Sequence, residues 1–274
     1  MRVVHVHRIS GIGGSERHLL ALLPALRLHG IDPSFVGLDD PAGAPAPFYA
    51  ALGQAGIPFA RVPARHDLDP RLPRRIARAA RAFRPELVHT HLVHADVHGA
   101  AAAALLRLPL VSTKHNDDPF RAGPFRYVER LLARRARRII TITDSLARFN
   151  EERVGIPHAK LVVVHYGLDE LPPPWGDNPP LTVPEGARIL LALGRLVPQK
   201  GLDVAVRALP AVRRTHPGAV LVVAGEGPER RNLEQLAAEL GVGDDLFLLG
   251  RAGDVAALLE RADLLVHPSR WEGF

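Results

Sequence analysis

Two groups of side chains in this 274-residue sequence have the types and spacing to do chemistry, and each follows a short apolar run. The first is Gly11-Ile12-Gly13-Gly14-Ser15-Glu16, after Arg2–His7. Glycines at a strand-to-helix turn let backbone approach a ligand, and the amides and dipole of a helix start suit phosphate. The spacing imitates a dinucleotide fingerprint, with Asp39 or Asp40 in the place of the ribose-binding acid. The third glycine position, however, holds Glu16, whose side chain opposes close helix–strand packing. An NAD(P)-dependent oxidoreductase is one reading of this turn, and a purely structural tight turn is another. The second group is Gly194-Arg195-Leu196-Val197-Pro198-Gln199-Lys200-Gly201, which sets a planar guanidinium and a mobile ammonium at a helix start. Such a pair suits a diphosphate whose charge grows as it leaves. A solvated helix start is the bland alternative, and the Walker spacing is absent.

Histidines cluster as well, with 12 of the 14 in the first 180 residues. His89, His91, His94 and His98 follow an apolar run, but H-x-H-x-D-H is not met, because Val93 interrupts it and Asp96 comes after His94. No metal site is expected from this spacing. One histidine at the strand's carboxyl end is expected as an acid/base or hydroxyl-binding group, and His94 and His98 as ordinary helix surface. With no cysteine, disulfides, thiolate metal sites and cysteine nucleophiles are excluded.

The elements that must position these groups alternate along nearly the whole chain. Candidate strands are 2–7, 34–38, 86–90, 110–114, 138–142 and 161–165, then 188–193, 219–224, 246–249 and 263–267. Helical patterns such as 15–29, 95–106 and 202–215 lie between them. This is the pattern of parallel sheets covered by helices. Six prolines between Pro172 and Pro184 mark residues 171–186 as a linker. The expected organisation is a Rossmann-like domain at 1–170 and a second at 187–274, with ligand bound in a cleft at the carboxyl ends of the strands. The second series stops in a loop after a strand, so that domain is expected to be incomplete.

The net charge of +6 divides unevenly. Residues 1–180 hold 24 Lys and Arg against 17 Asp and Glu, a net of +7, and the remainder holds 11 against 12, a net of −1. The basicity concentrates in Arg71–Arg84 and Arg126–Arg138, where Arg126, Arg130 and Arg134 recur every four residues as one stripe. An anionic membrane surface or a phosphorylated acceptor fits such a stripe, as does a merely solvated face. Nucleic acid is not expected, since no aromatic interleaving accompanies the arginines. A hydrophobic share of 47%, a charged share of 23% and a mean hydropathy of +0.02 describe a globular protein and exclude disordered and collagenous classes. Met1–Ser10 lacks the apolar core of a signal peptide, and no apolar run approaches about 18 residues. The expected location is cytoplasmic, or peripheral on the inner face of the plasma membrane.

Several segments together are similar to a known family. Gly13-Gly14-Ser15-Glu16, His89-Thr90-His91, Gly194-Arg195-Leu196 with Lys200-Gly201, Gly225-Glu226-Gly227-Pro228, Leu249-Gly250 and Pro268-Ser269-Arg270-Trp271-Glu272-Gly273-Phe274 resemble, in order, a glycosyltransferase of family 4. The resemblance implies the α/β GT-B fold, two Rossmann-like doubly wound domains facing a cleft. It also implies a retaining transfer of sugar from a UDP- or GDP-sugar to a glycan, glycolipid or small-molecule acceptor, in cell-envelope or exopolysaccharide synthesis, with no cofactor and no metal. It assigns His91 and Glu272 as catalytic, and Gly13, Gly14, Arg195, Lys200, Gly250, Asp254, Gly273 and Phe274 as donor-binding. Two departures accompany it. His165-Tyr166-Gly167-Leu168-Asp169 stands where the family writes N-G-V-D, and the second glutamate of E-x7-E falls beyond Phe274. A catalytically silent nucleotide-binding fragment is therefore a further alternative beside the dehydrogenase.

Overall fold

The computed structural model describes the chain except residues 41–43, 65, 67–68, 168–176 and 273–274. It divides into two compact units, Met1–Tyr166 and Gly167–Glu272. Part of the expected linker, 171–176, lies outside the described residues, as do Gly273 and Phe274.

The first unit is built on β1 (Arg2–Ile9), whose two-residue period sends Val4 and Val6 to one face and His5, His7 and Ile9 to the other. On one side β1 pairs with β2 (Asp32–Asp39), which pairs with β3 (Phe59–Pro63). On its other side come β4 (Leu87–His91), β5 (Leu110–Lys114), β6 (Arg138–Thr141) and β7 (Leu161–Val163), giving the parallel order β3-β2-β1-β4-β5-β6-β7. Winding reverses between β1 and β4, which makes their carboxyl ends the switch point where open α/β sheets bind ligands.

Helices α1 (Gly14–Leu28) and α2 (Ala46–Gln54) cover one face through Leu19, Leu23, Phe48 and Leu52 against Ile9 and Phe35. On the opposite face lie α3 (Leu72–Arg81), α4 (Leu92–Leu106) and α5 (Arg126–Arg135), packed on Val4, Val6, Val36 and Val88, and a short α6 (Asp144–Arg148) follows β6. Small residues bring α4 close to the sheet: a Cβ on Gly99 would stand 2.4 Å from Thr90 Cγ2. This approach is possible only because the helix presents Ala and Gly there.

Under the same helices a closed ionic network is buried. Lys114 Nζ contacts Asp96 Oδ2 at 2.5 Å and Glu129 Oε2 at 2.7 Å, and Arg121 Nε reaches Glu129 Oε1 at 2.7 Å. Thr90 and Ser112 donate to Asp96, while Arg121 also donates to Asn150 Oδ1 and to the Asn116 carbonyl. Two cations face two carboxylates with hydrogen bonds all round, the condition under which charge tolerates burial. Burial opposes ionisation of Glu129, but Lys114 and Arg121 outweigh it and hold this carboxyl below its usual range.

In the second unit β8 (Arg188–Leu193), α7 (Leu202–Thr215), β9 (Ala219–Ala224), α8 (Arg230–Glu239), β10 (Leu246–Gly250), α9 (Val255–Arg261) and β11 (Leu264–Leu265) form the parallel sheet β10-β9-β8-β11 with its covering helices. All six residues of β9 are buried, as a central strand covered on both faces requires.

Three details differ from the sequence reading. Strand β3 was not expected: in Phe59-Ala60-Arg61-Val62-Pro63 only Val62 is buried, so an edge strand carries almost no apolar signal. The strand expected at 263–267 narrows to Leu264–Leu265, since its ladder with β8 has two positions and both leucines are exposed. The arginine stripe on α5 is broken, because Arg130 Nε donates to the Val154 carbonyl at 2.8 Å and its guanidinium lies over the Tyr127 ring.

Candidate functional site

The carboxyl ends of β1 and β4 carry the candidate residues of the first unit. Their register sets His5 beside His89 and His7 beside His91, so two H-x-H segments become four adjacent imidazoles on one sheet face. His115, just beyond β5, and His18 of α1 join them. His91 is wholly buried, with Nε2 3.0 Å from His5 Nδ1 and Nδ1 3.1 Å from His115 Nε2. Burial, then repulsion from neighbouring imidazoles, holds His5, His91 and His115 well below the ordinary histidine range. The same two causes bring His89 to about 3, and burial brings His18 to about 4. Immediately after His91, Leu92 has φ +65°, left-handed backbone that a branched side chain avoids. Strain of this kind is retained where the junction of strand and helix is over-determined by its surroundings.

Glu16 organises the glycine turn. It is 8% exposed, and its Oε2 accepts from the Gly13 amide at 3.0 Å and from Ser15 Oγ at 3.1 Å, while Oε1 lies 3.1 Å from His7 Nε2. The other ring nitrogen of His7 lies 3.1 Å from the His91 carbonyl. Both His7 nitrogens thus sit within hydrogen-bond distance of an oxygen acceptor, and Ser15 Oγ lies 3.3 Å from Nε2 as well. Burial opposes ionisation of Glu16, but the His7 hydrogen bond and charge and the amides hold its carboxyl below the usual range. One change to the expectation follows. The Gly13 amide is taken by Glu16 and so is not among the donors this turn has to offer, while the first intrahelical bond is made by the Arg17 amide.

His94 and His98 do not share a role. His94 Nε2 lies 2.7 Å from Arg8 Nη1, and His98 is buried within α4 rather than on helix surface, because the alanine-rich helix packs that side against the sheet. Ligand atoms of His5, His89 and His91 do lie within 4.8 Å of one another. Yet His5 and His91 meet through a direct nitrogen-to-nitrogen hydrogen bond with ring planes 14° apart, the arrangement of a shared proton.

In the second unit the turn after β8 meets the last described residues. Lys200 Nζ pairs with Glu272 Oε1, and His267 Nε2 lies 3.3 Å from the same oxygen. Burial raises the Glu272 carboxyl, but Lys200, Ser269 and His267 together hold it below its usual range. Arg270 ties this loop back, pairing with Asp203 at 2.7 Å and donating to the Pro198 carbonyl at 2.7 Å. Gly201 allows the approach: its φ is +60°, and a Cβ there would stand 2.1 Å from the Pro268 carbonyl oxygen. Gly227 serves the same end, a Cβ falling 2.3 Å from the Leu196 carbonyl oxygen.

Arg195 is exposed on this turn, 3.5 Å from Gln199 Oε1. Gly250 (φ +79°) accepts the Gly225 amide at 2.8 Å, and Asp254 caps α9 by accepting from Ala257 N at 3.0 Å. The structure therefore brings Lys200 and Glu272 together in one unit, and His91 and the glycine turn together in the other. Sequence reading missed His5, His7, His115, Tyr166 and His267, and met Glu16 only as an obstacle. The available signal was His5-x-His7 on the first strand, which repeats His89-x-His91 on its neighbour.

Each unit is a parallel α/β sheet whose candidate residues gather at the carboxyl ends of its strands, where open sheets of this class bind ligands. The fold is GT-B: Anabaena Alr3699/HepE in complex with UDP-glucose superposes with a TM-score of 0.77 at 21% identity, over 98% of this chain and 74% of that one. The family model Glycosyltransferase Family 4 matches residues 12–170, and Glycosyl transferases group 1 matches 177–274. The chain belongs to glycosyltransferase family 4. Among its relatives, a glycogen synthase of Mycobacterium tuberculosis is 33% identical over 71% of this chain and 49% of its own length. The lipopolysaccharide core biosynthesis glycosyltransferase LpsD of Rhizobium meliloti is 26% identical over 99% of this chain and 73% of its own. The chain spans about half the length of the first curated relatives it matches. These matches favour a transferase over the oxidoreductase alternative.

Proposed function

We propose that this chain carries the two binding halves of a retaining glycosyltransferase that uses a nucleotide-diphosphate sugar. The observation that carries the reading is the Lys200–Glu272 pair beside Arg195, within a family of glycosyltransferases. Lys200 and Arg195 take the donor diphosphate, and Glu272, released from Lys200 as the phosphate arrives, accepts hydrogen bonds from the sugar hydroxyls. In the first unit the amides from Gly14 onward face phosphate, and His91 borders the transferred sugar and the acceptor. The bond from the anomeric carbon to the diphosphate oxygen breaks, and the acceptor hydroxyl bonds to that carbon on the same face. The hydroxyl proton goes to the departing diphosphate. Glycosidase-type double displacement needs a second carboxylate about 5 Å from the first, and the reading assigns none. No divalent ion enters this scheme, because the cations and helix amides carry the charge. Gly250 and Asp254 border the base, with Asp254 acting through its cap on α9.

UDP-sugars and GDP-sugars are the donor candidates, and HepE bound to UDP-glucose supports the former. Thermal protection and turnover with each donor test the reading. A rise in melting temperature with a nucleotide sugar is expected. Arg195→Ala with Lys200→Ala should abolish it, and unchanged protection and turnover in that double variant would overturn the phosphate assignment.

The acceptor side is proposed to meet an anionic membrane surface in cell-envelope or exopolysaccharide synthesis. Helices α3 and α5 flank α4 on one sheet face, and exposed Phe120, Tyr127 and Leu131 lie among Arg134, Arg135, Arg137 and Arg138. Apolar side chains within a basic surface suit the headgroup boundary. Among the described residues no helix is long and apolar enough to cross a membrane. Co-sedimentation with phosphatidylglycerol vesicles is expected to weaken with salt and to be lost in neutral vesicles, and indifference to both would sink the idea.

A further inference from the structure

Around His91 lies a set of buried and half-buried groups that the scheme above leaves unused. His5 Nδ1 lies 3.0 Å from His91 Nε2, His91 Nδ1 lies 3.1 Å from His115 Nε2, and His115 Nδ1 contacts the Tyr166 hydroxyl. The ring centroids of both imidazole pairs are 5.3 Å apart, so each pair meets edge to edge rather than face to face. Tyr166 is held by stacking on His18 with centroids 3.9 Å apart. It also closes the Met1–Tyr166 segment of the first unit.

A neutral imidazole has one donor and one acceptor nitrogen, so each ring in such a chain determines the next. Only two polarities satisfy all three bonds. If Tyr166 donates to His115, every ring carries its proton on Nε2, and His5 ends the chain with an N–H that finds no acceptor, because His5 Nε2 is buried without a partner among the described residues. If His5 Nδ1–H donates to His91, every ring carries its proton on Nδ1, and the chain ends at the Tyr166 oxygen. A bare lone pair remains at His5 Nε2. A buried donor without an acceptor is the rarer defect in native proteins, so the second polarity is preferred.

We propose that His5, His115 and Tyr166 are positioning residues that hold His91 in its Nδ1–H tautomer through a one-way hydrogen-bonded relay, His5 to His91 to His115 to Tyr166. The consequence rests on the proposed place of His91 at the transfer site: its orientation and tautomer are set from the end of the first unit. The tautomers themselves do not depend on that role. They can be read without any substrate, so failure of the relay and failure of the transferase reading are separable.

The experiment is ring-nitrogen NMR on 15N-histidine-labelled protein at neutral pH, with far-UV circular dichroism to confirm folding. Wild type should show His5, His91 and His115 as single neutral tautomers protonated at Nδ1. In Tyr166→Phe the terminal acceptor is gone. The relay predicts that the tautomer change propagates through His115 and His91 to His5, whereas a local packing role alters His115 alone. His5→Asn should leave the His115 tautomer in place, since its donor and acceptor neighbours remain. Averaged tautomers in wild type, or unchanged His91 and His5 signals in folded Tyr166→Phe, would overturn the proposal. So would a stoichiometric shift of the His5, His89 and His91 signals on adding zinc, which would make the cluster a metal site instead.

Discussion

His5, His18, His89, His91 and His115 are all held below the ordinary histidine value by burial, and in most of them by one another. A histidine that stays neutral in the folded state but protonates when unfolded gives stability that is fully present above about 6.5 and is lost as pH falls toward its folded value. For His18 and His89 the window therefore runs from about 6.5 down to about 4 and about 3 respectively. Urea midpoints should fall across that window with a slope above one proton. His89→Asn should make the slope shallower by roughly one proton, or about 1.4 kcal/mol per pH unit. An unchanged slope would mean that His89 protonates in the folded protein. Much of this was legible in the sequence as a histidine excess. Its meaning was not, since which rings touch depends on the register of β1 with β4, and that is a long-range pairing. Glu16 shows the same limit. Against a glycine template it reads as a misfit, yet the carboxylate occupies the space by capping the turn it was expected to obstruct.

Among the elements, α5 joins the sheet through buried charge as well as apolar packing. Its buried face offers Glu129 and Ala133, and Glu129 binds both Lys114 of β5 and Arg121. Glu129→Gln keeps the shape but leaves two buried cations with the Asp96 carboxylate alone, with an expected loss of about 3 kcal/mol in urea unfolding, since breaking one side of a buried pair leaves uncompensated charge. A loss under about 1 kcal/mol would show the network to be replaceable. In the second unit, Gly227→Ala should cost roughly 1–3 kcal/mol, because its Cβ meets the backbone at Leu196 rather than a side chain that could move aside. Strands with alternating or fully apolar sequence, such as β1 and β9, were readable from period alone. Edge strand β3 was not, because a strand with one buried side chain owes its existence to its neighbour.

At the scale of the whole molecule, each unit has apolar clusters of its own among the described residues. Leu19, Phe35 and Phe48 form one cluster and Val4, Ile76 and Ala103 another in the first unit, while Leu196, Val206, Leu209 and Val223 form a cluster within the second. Each sheet also completes its ladders with its own strands. The two halves should therefore open as separate cooperative units, and damage to one core should not propagate into the other. Leu209→Ala is the test, since Leu209 is 1% exposed on α7 and removing it leaves a cavity costing about 2–5 kcal/mol. Native-state hydrogen exchange should lose that protection throughout β8 and β9, leaving β1 and β4 as slow as in wild type. Equal losses in both sheets would instead require a single folding unit, and the histidine relay of the first would then share its stability with the lysine–glutamate pair of the second.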